Sequence, residues 1–287
     1  VFEADPVYFQ SEVEEDDFLL GFSEVKLIIP GLFKESLGLL KFCIKDKFCE
    51  YSIDSEKIIL DLLNGVDISE EKIKENTRQL KEDSFLIVIS VKDKSEEAVE
   101  ILNNVYSDTE ILIFTFKEYV ILLGSFENIQ EHTCSIYETL YTSIYMKCYM
   151  SYVEISDYVS LKNNFDLCRY KLNLAHKYHV SGKVFNMDSL MFESIIDNLN
   201  EDEKNRIIAK FNEGFERLDN DIIQSIDVFF ELNLNLSEAS KKLYVHRNTL
   251  IYRLDKIQKC TSYDIRKFNE AVIFKVAFAI WKQKRNI

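Results

Sequence analysis

Glycine and proline are scarce in this chain, 7 and 2 among 287 residues, which excludes long flexible linkers and frequent punctuated loops. Catalytic signatures that need fixed residues at fixed offsets are missing too. There is no Gly-x-Ser-x-Gly elbow, no Walker loop and no His-Glu-x-x-His pair. The six cysteines (Cys43, Cys49, Cys134, Cys148, Cys168 and Cys260) include no Cys-x-x-Cys pair, so they read as reduced, buried thiols. His176 and His179 lie three apart near a helix end, but no Cys, Asp or Glu around them completes a ligand set. Neither a metal nor another cofactor is expected. No run approaches the ~18 apolar residues of a membrane span, and no basic-then-apolar leader opens the chain. These absences lead to the expectation of a soluble, cytoplasmic protein that is not an enzyme. Because the chain opens on Val1 rather than Met, an incomplete N-terminal sensor has to be allowed for.

What is present is ample core material, 47% hydrophobic and 13% aromatic, enough for two or three domains. Residues 1–50 read as a small strand-containing region. Within it Glu12, Glu14, Glu15, Asp16 and Asp17 form a solvated acidic run. Val25–Ile29, stopped by Pro30-Gly31, and Leu37–Ile44 have strand composition. Either ligand sensing or a structural, dimerising role fits this region. Residues 51–80 read as a helical connector. Ile58, Ile59, Leu62 and Leu63 share one face, Asn64-Gly65 ends that helix, and a second helix spans Ser69–Leu80.

Residues 81–190 alternate strands and helices. Phe85–Val91 reads as a strand and Ser95–Tyr106 as a helix. Glu110–Phe116 and Tyr119–Leu123 follow as two strands joined by Lys117-Glu118. A long helix carries Ile129, Thr133, Ile136, Leu140 and Ile144. A strand near Cys148–Val153 and a helix with Leu161, Phe165, Cys168, Leu172 and Ala175 on its stripe complete the unit. This order predicts one sheet covered by helices. Helices at Met187–Leu199 and Glu201–Leu218 supply connecting helices over 191–218, which either cap the sheet or form a coupling arm or dimer surface. An all-α domain over 219–287 begins with a helix at Asp221–Leu232 and closes with one at Phe268–Lys284, whose Phe274, Phe278 and Trp281 belong to its core. The fold class expected is therefore α+β: a helix-covered central sheet followed by an all-α helix-turn-helix domain.

The segment Asn235–Ile257 carries the functional signal. Asn235 has the chemistry of an N-cap, with Glu238 three positions on, so a helix should start at Leu236. Ala239 and Leu243 fall on its buried side. Tyr244, Val245 and His246 break the period. A second helix then opens at Arg247 and places Leu250, Leu254 and Ile257 on an inward stripe. In a helix-turn-helix the second helix enters the major groove with its N-terminal residues at the base edges. Arg247, Asn248, Ile251 and Tyr252 are thus the candidate base contacts, since Arg and Asn pair bidentately with guanine and adenine. Lys241, Lys242, His246, Thr249, Arg253 and Lys256 are the candidate phosphate contacts, which position a protein without reading sequence.

Charge is distributed to match. Of the 35 basic and 49 acidic residues, 12 and 4 fall in Leu236–Ile287, leaving 23 and 45 for the rest. A basic module thus ends an acidic chain, as expected of a nucleic-acid binder.

The run Leu-Tyr-Val-His-Arg-Asn-Thr-Leu-Ile-Tyr-Arg-Leu (Leu243–Leu254), preceded by Phe-Phe-Glu-Leu-Asn (Phe229–Asn233) and followed by Asp264-Ile-Arg and the closing helix, resembles the C-terminal helix-turn-helix of PucR/CdaR-type bacterial transcriptional regulators. One departure is Ser262, where that family usually carries a helix-ending Gly. The order of elements in 81–190 is similar to the degenerate GGDEF-like domain of CdaR-type regulators, a relative of nucleotide cyclases. At the position of the cyclase signature loop this chain reads Phe116-Lys-Glu-Tyr119, without the glycines or the acidic pair that phosphate and metal require. The resemblance implies double-stranded promoter DNA as partner, a homodimer, and a small-molecule effector controlling metabolic genes. Two other readings stay open: an adaptor using the same helical bundle for protein contacts, and a signalling protein with a degenerate nucleotide-binding domain.

Overall fold

The computed structural model describes residues 56–69, 71–73, 84–107, 109–145, 147–156 and 158–285, together with the backbone of 18–22 and 25–29. The expected acidic run before residue 18, the Pro30-Gly31 stop, the strand at Leu37–Ile44 and most of the helix at Ser69–Leu80 lie outside the described residues, as do Cys43 and Cys49. Two compact units emerge, Val1–Arg169 and Tyr170–Ile287.

In the first unit β1 (Phe18–Phe22) and β2 (Val25–Ile29) pair antiparallel, with Phe22 opposite Val25. The second of these strands has the expected limits; the first was not anticipated. Helix α1 (56–64) buries Ile58, Ile59, Leu62 and Leu63. It ends at Gly65, whose φ of 79° lets its N–H reach Leu62 O while the Val66 N–H reaches Asp61 O. Two orphan carbonyls of the last turn are satisfied by this closure.

The central sheet is built from β3 (Ser84–Ser90), β4 (Leu112–Phe116), β5 (Tyr119–Ser125) and β6 (Tyr149–Ile155). These four strands lie in the order β4-β5-β3-β6, every pair antiparallel. Helix α2 (Ser95–Val105) separates β3 from β4, and α3 (Ile129–Ile144) separates β5 from β6. This β-α-β-β-α-β order is a split β-α-β arrangement. Leu86 to Ile89 and Val120 to Leu123 are buried without a break. Successive strand residues face opposite sides, so both faces of the sheet are covered. Phe116 and Tyr119 stand opposite each other in register, and Lys117 takes a left-handed φ of 55° in the two-residue connection. Both of their rings meet Phe165 edge-on. That side chain belongs to α4 (Leu161–Lys177). Cys168 on the same helix is buried, and burial pushes its thiol up to about 12, the inert state expected of an apolar thiol.

The second unit holds β7 (Val184–Phe185), α5 (Met191–Asp197), α6 (Glu201–Ala209), α7 (Asn212–Phe215), α8 (Asn220–Glu231), α9 (Leu236–Lys242), α10 (Arg247–Thr261) and α11 (Phe268–Arg285). Two expected helices are shorter than their periodicity suggested. The helix anticipated from Met187 starts only at Met191, because the Asn186 carboxamide accepts the N–H groups of Asp188 and Ser189 and the Ser189 hydroxyl. That side-chain turn competes with helix. The helix anticipated over Glu201–Leu218 is two helices with a turn at Lys210-Phe211, where Asn212 and Gly214 lower helix propensity.

One core binds the bundle. Phe211, Phe215, Ile222, Ile226, Phe229, Leu250, Leu254, Ile257, Phe274, Phe278 and Trp281 are all buried in it. Phe215 sits at the centre, meeting Phe274 and Phe278 edge-on and Trp281 at 5.3 Å between centroids. Offset and edge-on aromatic pairs contribute beyond simple area burial.

Candidate nucleic-acid interface

Three consecutive helices form the site, and each starts on a residue that satisfies free amides. Asp219 caps α8 by accepting the Ile222 N–H at 3.0 Å. Asn235 caps α9 through Oδ1, which accepts from Ser237 and Glu238. His246 caps α10 through Nδ1, which accepts the Asn248 N–H at 3.2 Å. An accepting Nδ1 leaves the proton of a neutral imidazole on Nε2, directed away from the cap.

Helix α10 divides by face. Leu250, Leu254, Ile257 and Thr261 are buried in the bundle core, while Arg247, Asn248, Thr249 and Tyr252 are exposed and Ile251 is half-buried. Arg247 and Asn248 make no side-chain hydrogen bond among the described residues. The two residue types able to read guanine and adenine therefore stand solvent-accessible at the first turn of the helix.

The expected phosphate contacts divide into two groups. Lys241, His246 and Thr249 are exposed and carry no ion pair among the described residues. Lys242, Arg253 and Lys256 already hold carboxylates. Lys242 pairs with Glu231 and Lys256 with Asp219. Arg253, 17% exposed, donates to Asp221 Oδ2 and Ser225 Oγ at 2.9 Å each and to Asp221 O at 3.3 Å. Its guanidinium thus ties α10 to α8. The Lys256 ammonium and the Ile222 N–H hold the Asp219 carboxyl below its ordinary range, and Asp219 in turn raises Lys256.

Arg266, which the sequence did not single out, organises the exit from α10. It donates to Asp264 at 2.6 Å, Asp255 at 2.9 Å and Gln258 at 3.0 Å. That guanidinium keeps Asp264 below the usual carboxylate range. Ser262, the departure from the family pattern, takes the left-handed φ of 63° for which the family's Gly is suited, and its N–H closes on Gln258 O at 2.8 Å. The helix end is formed despite the substitution. In the sequence Asp264 and Arg266 stand out only through the resemblance; the bonds from Arg266 back to Asp255 and Gln258 span a loop that no periodicity reveals.

Elsewhere, no helix among the described residues is long and apolar enough to cross a membrane. Among those residues no three His, Cys, Asp or Glu side chains converge as metal ligands.

Residues 222–280 match the model of the PucR C-terminal helix-turn-helix domain. The carbohydrate diacid regulator of Escherichia coli (strain K12) is 28% identical over 97 residues, 33% of this chain and 25% of that protein. The purine catabolism regulatory protein of Bacillus subtilis (strain 168) is 44% identical over 41 residues, 14% and 8% of the two chains. The DNA-binding transcriptional activator AdeR of the same organism is 28% identical over 92 residues, 30% and 22%. The aligned part is thus a quarter or less of each of these relatives. Residues 222–280 are thus similar to a PucR-type helix-turn-helix domain.

Proposed function

We propose that the chain is a sequence-specific transcriptional regulator that binds double-stranded promoter DNA and reads the major groove with α10. The observation that carries this reading is the split of α10: Leu250, Leu254 and Ile257 lock it into the bundle while Arg247, Asn248, Thr249 and Tyr252 remain exposed. Arg247, Asn248, Ile251 and Tyr252 are assigned to base edges. Lys241, Lys242, His246, Thr249, Arg253 and Lys256 are assigned to phosphates. Of these, Lys242, Arg253 and Lys256 reach a phosphate only by sharing or leaving their carboxylates.

A single module makes few base contacts, so the working unit is a homodimer on half-sites about one helical turn apart, roughly 34–36 Å. A small-molecule effector acting on residues ahead of the helix-turn-helix shifts the balance between binding-competent and incompetent arrangements. The acidic remainder of the chain, 45 Asp and Glu against 23 Lys and Arg, opposes non-specific DNA contact.

The test is retention of genomic duplex fragments by the full chain at low ionic strength, followed by a salt titration. Retained fragments should share a repeated half-site, and log affinity should fall steeply with log salt. A chain that retains no fragment at any ionic strength contradicts the proposal.

A further inference from the structure

The turn between α9 and α10 holds a residue whose presence neither core nor caps explain. Helix α9 closes with the Tyr244 N–H on Lys241 O at 3.1 Å and the Val245 N–H on Ser240 O at 3.0 Å. This pair of bonds is the Schellman closure, in which the residue after the C-cap turns left-handed and is usually glycine. The same closure ends α1, with Gly65 at φ 79° in the equivalent place. Here the residue is Tyr244, at φ 54°. A Cβ is disfavoured in that conformation, and the ring gains nothing from the core, since Tyr244 is 97% exposed. Its hydroxyl has no hydrogen-bond partner among the described residues. Side chains kept in strained backbone conformations concentrate at binding sites.

Glycine scarcity alone is an insufficient reason. Tyr145 ends α3 at φ 53° and is also exposed, but Tyr244 differs in its company. Exposed Lys241 and Lys242 precede it, and exposed His246, Arg247, Asn248 and Thr249 follow. A phenol O–H whose exposed sequence neighbours are cationic and amide side chains is suited to an anionic oxygen, and Tyr is among the residues that position proteins on the nucleic-acid backbone.

We propose that Tyr244 is a DNA-backbone ligand, its hydroxyl donating to a phosphate oxygen beside the groove that α10 enters. This inference rests on the DNA-binding reading above and adds to it an uncharged contact from the turn itself.

The test uses the full chain, the retained genomic fragments and two variants. Tyr244→Gly relieves the left-handed strain and should raise the melting temperature by roughly 2–4 °C, while weakening DNA binding by about tenfold. Because a phenol displaces no counterion, the salt slope should stay that of the parent, whereas Lys241→Ala should lower it by about 1. Tyr244→Phe keeps the shape and lacks the hydroxyl, so it should lose a similar share of affinity at unchanged melting temperature. A Tyr244→Gly variant that is more stable yet binds with parental affinity overturns the proposal, as does parental affinity in Tyr244→Phe. If the parent itself retains no duplex, the DNA-binding reading falls first and this contact falls with it.

Discussion

Replacing Gly214 by alanine tests the packing that supports the candidate recognition helix. A Cβ at Gly214 would lie 2.5 Å from the carbonyl oxygen of Cys260, 3.0 Å from Thr261 Cγ2 and 3.1 Å from the Cys260 carbonyl carbon. Ordinary contact requires about 3.4 Å or more, so α7 and the last turn of α10 must separate by roughly 0.9 Å. The nearest of these atoms, the Cys260 carbonyl, is backbone and cannot rotate aside. Thr261 and Ile257 on one side and Phe215 on the other are buried, so the strain spreads into a close-packed core. Overpacking of this kind costs about 1–3 kcal/mol. Alanine regains about 0.5–1 kcal/mol of helix propensity relative to glycine, leaving a net loss of up to about 2.5 kcal/mol. The readout is built in: Trp281 is the chain's single tryptophan and packs on Phe215, the residue next to Gly214. Urea unfolding followed by its fluorescence should show a lower midpoint for Gly214→Ala. At Gly182 the added Cβ would come no nearer than 3.2 Å to the Phe185 ring and 3.9 Å to Val180 Cγ1, and would meet no backbone atom, so Gly182→Ala serves as the milder comparison. The sign of the effect decides. A raised midpoint for Gly214→Ala means that helix propensity outweighs the contact and that the helices do not approach as described.

Two further outcomes are expected. Arg253→Met keeps the aliphatic stem but removes the donor to buried Ser225 Oγ, which should cost about 1–2 kcal/mol; Asp221→Asn should cost much less, because that carboxylate is largely exposed. Equal losses in the two variants would refute the assignment of Arg253 as the tie between α8 and α10. Asp219, Asp264 and Glu270 all titrate below their ordinary values of 3.8 and 4.5, held down by Lys256, by Arg266 and by the Asp264 N–H respectively. Their stabilisation is present above those ordinary values and is lost as pH falls through the lower folded ones. The Trp281 midpoint should stay level from about pH 7 to 5 and drop below about pH 4, with a smaller drop in Asp264→Asn. An acid response unchanged by that substitution would contradict the role given to the Asp264–Arg266 pair.

The helix-turn-helix was legible because its determinants are local. Asn235 announces its helix by residue type, and Leu250, Leu254 and Ile257 declare the buried stripe by spacing alone. The central sheet was legible for a similar reason, since β3 and β5 are short apolar runs, each followed by a helix of clear period. What the sequence concealed depends on partners far along the chain. Arg253 and Lys256 look like free cations beside Arg247, and only folding brings Asp221 and Asp219, 32 and 37 residues away, against them. The turn at Lys210-Phe211 and the side-chain turn at Asn186 interrupt patterns that otherwise read as continuous helix. Strand β1 was hidden behind the acidic run that leads into it. Tyr244 was seen as a break in period, but its left-handed backbone is invisible without a glycine to mark it.

The central claim is that Arg247 and Asn248 read bases while the surrounding cations hold the backbone. Its most direct test is the ratio of affinities for a retained operator fragment and for a scrambled duplex, measured for the parent, Arg247→Ala and Lys241→Ala at one salt concentration. A lost bidentate base contact costs about 1–3 kcal/mol on the operator, so Arg247→Ala should bring that ratio down toward unity, whereas Lys241→Ala should weaken both duplexes alike. An Arg247→Ala chain that keeps the parental ratio would contradict the account.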